Sequence, residues 1–154
     1  MRRGVGLPVL TVLNRQRGVK FDLRVVKFMA GEALARCSGV FPRNARTAGY
    51  MGLEEVVVTV VSDRRIDRIH RDFMAIKGAT DVITFEHGDL VVSADTALRE
   101  AIRRGHRVEA EIGLYVVHGL LHLNGFDDLS ELPREEMLGV QERLWSESRR
   151  AAGI

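Results

Sequence analysis

The stretch from Val108 to about Asn124 most constrains what this chain can become. Its residues Ile112, Leu114, Tyr115, Val116, Val117, Leu120, Leu121 and Leu123 leave little polar surface at helical spacing. A helix apolar on nearly every side is deeply packed. Gly125 stands where a C′ glycine stops such a helix and lets the chain double back.

The remaining elements are shorter. Val9–Leu13 reads as a strand, and a helix follows from Leu23 to about Ser38, with Asp22 as N-cap and Gly39 as stop. Phe41–Gly52 is a loop, and the valine-rich run Glu55–Val61 is a buried strand. Ser62-Asp63 caps a polar helix from Arg64 to about Met74. Val82–Phe85 and Leu90–Val92 form a hairpin, and Ser93 caps a helix from Ala94 to about Arg104, broken by Gly105. Pro133 marks the start of a last helix running to about Arg150. The expected fold class is α+β: a single domain over 1–154, with a small mixed sheet of about four strands packed with about five helices.

Composition narrows the function classes. Hydrophobic residues make up 45% and charged residues 29%, which excludes a disordered or collagen-like chain. No apolar run approaches the ~18 residues of a bilayer span, so no membrane is expected. Arg2-Arg3 is followed by no adequate apolar stretch, so no signal peptide is read, and the lone Cys37 fits a reducing, cytoplasmic setting. The net charge of +2 hides an uneven distribution. Residues 1–62 carry 10 basic and 4 acidic residues, 63–107 carry 9 and 8, and 108–154 carry 4 and 9. An anionic partner would therefore meet the first two thirds.

The chemistry sits in the acidic third. His118 and His122, four apart on one helix, share a face and can point at one ion. Beyond Gly125 either Asp127 or Asp128 can add a carboxylate. Two imidazoles and one carboxylate leave a coordination position open, the pattern of a catalytic site. Gly119 stands where His-Glu-x-x-His proteases carry their general base, which disfavours that class. Asp127 reads as a turn residue, Asp81 as a loop tie, Cys37 as core, Trp145 as a core or rim anchor, and His70, His87 and His106 as surface.

The run His118-Gly119-Leu120-Leu121-His122-Leu123-Asn124-Gly125-Phe126-Asp127-Asp128 resembles the signature His-Gly-x-Leu-His-Leu-x-Gly-Tyr-Asp-His of the YbeY-type rRNA maturation endoribonucleases. Only the last position departs outright, and Phe126 is conservative. Upstream, Thr80-Asp81-Val82-Ile83-Thr84-Phe85 and Gly88-Asp89-Leu90-Val91-Val92-Ser93 resemble the family's other block. The resemblance spans about 55 to 145. It implies a metal-dependent endoribonuclease acting in 16S rRNA 3′-end processing and ribosome quality control. Its catalytic residues are then His118 and His122, and its metal ligands His118, His122 and Asp128. One divalent ion per chain is implied, zinc by family, with Mn or Fe suited by a carboxylate ligand. Ribosomal RNA and the ribosome are the implied partners.

Two departures qualify this picture. Asp128 replaces the third histidine, and Met74-Ala75 stand where the family has Arg-Gly. An RNA- or ribosome-associated binding factor with weak or no catalysis is the alternative. Hydrolysis of another phosphoester stands behind both. Phosphate contacts are expected from Arg64, Arg68 and Arg71 on one helical face, Arg99 and Arg103 on another, and Lys77.

Overall fold

The computed structural model describes residues 6–43, 52–75, 78 and 80–154. In chain order the elements are β1 (Val9–Asn14), α1 (Leu23–Cys37), β2 (Glu55–Val61), α2 (Asp63–Met74), β3 (Val82–Thr84), β4 (Asp89–Ser93), α3 (Ala94–Arg104), α4 (Val108–Leu123) and α5 (Glu131–Ala152). The strands form one sheet in the order β1-β2-β4-β3. β1, β2 and β4 run parallel, with Val9 opposite Glu55 and Val57 opposite Asp89. β3 closes the edge antiparallel to β4, Val82 facing Val92. The α+β class and the mixed four-stranded sheet with five helices agree with the expectation from sequence. No described helix is long and apolar enough to cross a membrane.

Local chemistry sets the boundaries. Asp22 accepts from the Arg24 amide, Ser62 from Arg65 and Ser93 from Thr96, so each helix gains a partner for an amide that its first turn leaves unpaired. Pro133 lies inside the first turn of α5 instead of opening it. The helix starts at Glu131, and proline is tolerated there because first-turn amides need no helical acceptor. Most of the 41–52 loop (residues 44–51) lies outside the described residues, as do Lys77 and Ala79.

Strand alternation sorts the side chains onto two faces. Val56, Val58, Val60, Leu90 and Val92 join the main core with α1, α4 and α5. Val61, Ile83 and Val91 pack on the other face against Ile66 of α2, with Ile69 and Phe85 at the margin. α2 and α3 both begin where parallel neighbours β2 and β4 end, and their first turns interlock. The Asp63 carboxylate accepts from Ser93 Oγ at 2.5 Å, Thr96 Oγ1 at 2.8 Å and the Arg99 guanidinium at 2.7 Å. The Asp63 amide donates to Asp95 at 2.7 Å. Burial alone would raise the Asp63 pKa, but these donors outweigh it and hold the carboxyl below the ordinary aspartate value.

α4 is the buried axle that its sequence requires. Ile112, Val116, Val117, Leu120 and Leu121 are wholly inaccessible. Two glycines let neighbours approach it closely. A Cβ on Gly113 would sit 2.4 Å from Met29 Cε of α1, and one on Gly119 would sit 2.6 Å from Leu90 Cδ2 and 3.0 Å from Thr84 Oγ1. At the start of α4 the fully buried Glu111 binds His106, Nε2 to Oε2 at 2.5 Å. His106 is thus not the surface histidine its polar neighbours suggest: its side chain is 9% exposed, because a buried carboxylate needs a partner. Trp145 packs against His106 edge-on and donates its indole N–H to Ala110 O at 2.8 Å, an anchor in the core.

Candidate metal centre

The site is made where α4 ends. Gly125, at φ +96°, reverses the chain in a Schellman motif. The Gly125 amide donates to His122 O and the Phe126 amide to Leu121 O, both at 3.0 Å. Phe126 then buries its ring in the core, 3% exposed. Asn124 is fully buried, and its amide donates to Cys37 O at 2.8 Å and Val40 O at 3.0 Å, fastening the reversal to the end of α1.

This turn returns two groups to the histidines. The Phe126 carbonyl comes within 3.0 Å of His122 Nδ1. Asp128 brings Oδ2 to 3.8 Å from both His118 Nε2 and His122 Nε2. From α5, Gln141 Oε1 lies 2.7 Å from His118 Nδ1. Both Nδ1 atoms face oxygens, an arrangement that favours the Nδ1–H tautomer of each ring and so would turn both Nε2 lone pairs inward. Those Nε2 atoms are 2.9 Å apart, with the rings edge to face at a centroid distance of 4.5 Å. Two bare lone pairs at that separation repel unless something positive lies between them.

A metal ion answers that description. Donor atoms of His118, His122 and Asp128 all lie within 4.8 Å of one another, the group among the described residues suited to hold an ion. A tetrahedral ion about 2.0–2.1 Å from each donor would separate donors by roughly 3.3 Å, between the observed 2.9 and 3.8 Å. Burial, and then the neighbouring His118, keep His122 below the ordinary imidazole pKa and so favour its neutral, ligating form. Of the two aspartates left open by the sequence, Asp128 faces the pair. Asp127 Oδ1 instead accepts from the Leu129 amide at 2.9 Å and shapes the turn.

His118 lines two cavities. The larger, about 620 Å³, also takes in His122, Thr84, Met74, His70 and Glu86. His70 is therefore at the cleft wall, half-buried, with Nδ1 3.1 Å from Gly78 O, and not on open surface. The second, about 500 Å³, is bounded by Asp128, Gln141, Tyr115, Asp81, Arg104 and Arg134.

The candidate phosphate contacts are distributed differently from the metal donors. Arg71 pairs with Asp67, Arg99 with Asp63 and Arg103 with Glu100. Arg64 and Arg68 are exposed, with no ion pair among the described residues, and Lys77 lies outside them. None of these arginines lines either cavity beside His118; Arg104 and Arg134 do. Sequence reasoning passed over those two and Gln141. One signal for Gln141 existed: it is a polar residue within the α5 stripe of Met137, Leu144, Trp145 and Ser148, all of which turn inward.

A family model described as endoribonuclease YbeY matches residues 13–149. Endoribonuclease YbeY of Micrococcus luteus is 35% identical over 109 residues, covering 60% of this chain and 69% of the relative. That of Bacillus velezensis is 30% identical over 138 residues, covering 77% and 88%. The solution structure of the Thermotoga maritima protein TM1509 shares the fold, with a TM-score of 0.57 at 22% identity over 93% of each chain.

Proposed function

The chain belongs to the endoribonuclease YbeY family, and from that premise we propose that it cleaves RNA at a single divalent ion held by His118, His122 and Asp128. The proposal extends to processing of the 16S rRNA 3′ end and to ribosome quality control, with ribosomal RNA and the ribosome as partners. The observation that carries it is the convergence of two Nε2 atoms and a carboxylate, with both Nδ1 atoms already engaged behind them.

Zinc is the proposed ion, and the carboxylate also suits Mn or Fe(II). A bound ion would polarise the scissile phosphodiester and acidify a water. The chain's own residues do the rest. His118 and His122 hold their lone pairs toward the ion, Asp128 adds a negative charge, and Asp127 keeps the turn closed. Asp128 also lowers the net positive charge of the centre relative to a third imidazole, so the acid chemistry is weaker than in an all-histidine site. Arg104 and Arg134 in the second cavity, and Arg64 and Arg68 on the open face of α2, are proposed to hold backbone phosphates without reading sequence.

The second reading is an RNA-binding factor of the same fold with little catalysis. It is favoured by Met74, which lines the cleft where the family resemblance places arginine, so no described arginine clamps that cavity. Purified protein incubated with structured 16S rRNA fragments, with and without a chelator, decides between them. Metal-dependent cleavage that disappears in His122→Ala supports the nuclease. Tight binding without cleavage supports the binding factor. Cleavage that survives in His122→Ala refutes the site.

A further inference from the structure

Gln141 plays no part in the ligand set, yet it makes the shortest contact to His118 outside the pair. It sits one helical turn beyond the fully buried Met137 and before Leu144 and Trp145, on the inward stripe of α5. A leucine or methionine there would continue the stripe. The side chain instead turns its carbonyl Oε1 to His118 Nδ1 at 2.7 Å.

A neutral imidazole has one proton and two places for it. With an acceptor at Nδ1, the proton stays there and Nε2 is bare. In the other tautomer the proton sits on Nε2, bridges the 2.9 Å gap to His122 and occupies the space a cation would take. His122 needs no such help, because its Nδ1 faces the Phe126 backbone carbonyl, which can only accept. His118 lies a turn earlier in the helix, out of reach of that reversal. Its acceptor has to come from another element, and α5 supplies it.

We propose that Gln141 is a positioning residue that fixes the Nδ1–H tautomer of His118 and so keeps the centre open to a divalent ion. The inference rests on the metal-centre reading above and concerns binding, not turnover. A carboxamide does this without adding charge to a centre that already contains Asp128. Glutamate, which can only accept, should do it at least as well. Methionine, of nearly the same shape, should not do it at all.

The test compares wild type with Gln141→Met and Gln141→Glu. Zinc affinity is measured by competition with a chromophoric chelator. The His118 tautomer in the metal-free variants is read from its ring-nitrogen NMR shifts. Gln141→Met should bind zinc roughly 10–100-fold more weakly, the usual effect of removing an outer-shell partner, and move the His118 proton to Nε2. Gln141→Glu should keep the proton on Nδ1 and restore or tighten the affinity. Equal zinc affinity in all three proteins, or the same His118 tautomer in Met and Glu variants, overturns the assignment. If Gln141→Met does not fold, a Gln141→Glu protein with its His118 proton on Nε2 overturns it equally. Wild-type affinity and tautomer with no RNA cleavage would refute the proposed activity and leave Gln141's role intact.

Discussion

Gly119→Ala tests whether the hairpin and α4 are as closely matched as their packing requires. Alanine is the better helix former by about 1 kcal/mol, so propensity alone predicts stabilisation. Packing predicts the opposite. The new Cβ would sit 2.6 Å from Leu90 Cδ2, 2.9 Å from Leu90 Cγ and 3.0 Å from Thr84 Oγ1. Leu90 is wholly inaccessible, so it can make room only by shifting within the packed core. Overpacking of this kind costs about 1–3 kcal/mol, so the net after the ~1 kcal/mol propensity gain is about 0–2 kcal/mol of destabilisation. Gly139 in α5 provides the control, since a Cβ there meets nothing within 4 Å. Gly139→Ala should therefore gain about 0.5–1 kcal/mol. Urea unfolding at neutral pH reads both: the midpoint should fall for position 119 and rise for position 139, with m unchanged. A Gly119→Ala protein that gains as much stability as Gly139→Ala would refute the packing argument. Because His118 and His122 flank this contact on the same helix, zinc affinity should fall with stability in Gly119→Ala and hold in Gly139→Ala.

Other outcomes follow from the same geometry. Asp128→Asn should weaken zinc binding by more than the roughly 10–100-fold expected of an outer partner, whereas Asp127→Asn keeps its turn acceptor and should change little; chelator competition separates them. Asp63 has a folded pKa depressed by Ser93, Arg99 and Thr96 against the opposing effect of burial, so its contribution is full above the ordinary aspartate pKa of about 3.9 and is lost as pH falls through the folded value. Asp63→Asn should lower stability at pH 7 by about 1.5–3 kcal/mol and by less at pH 3, measured by urea unfolding at each pH. An equal loss at both would contradict the linkage.

The sequence declared most of what lies close together along the chain. The apolar circumference of α4, the caps Asp22, Ser62 and Ser93, and the stop at Gly125 are all legible, because each depends on residues within a turn or two. The histidine pair was legible for the same reason. What stayed hidden depends on distant partners. His106 reads as polar surface until Glu111 is known to be buried, and Gln141 reads as an ordinary helix residue until α5 is laid against α4. The choice between Asp127 and Asp128 turns on which way a reversed chain points its side chains, which spacing alone does not encode. The arginine stripes divide the same way: Arg103 pairs with Glu100, close by in sequence, but Arg99 pairs with Asp63 from the first turn of a different helix.

The Schellman reversal after α4 also bears on the order in which the molecule assembles. Every donor to the candidate ion comes from one helix and the few residues beyond it, so bringing the donors together closes almost no loop. The sheet is the opposite case: β1 meets β2 only after α1 is laid between them, and β2 meets β4 only across α2 and β3. Such long-range parallel pairings are the slow events of folding. These donor groups can therefore converge while the sheet is still open. A cation captured at that stage would act as a nucleus on which α5, through Gln141, later docks.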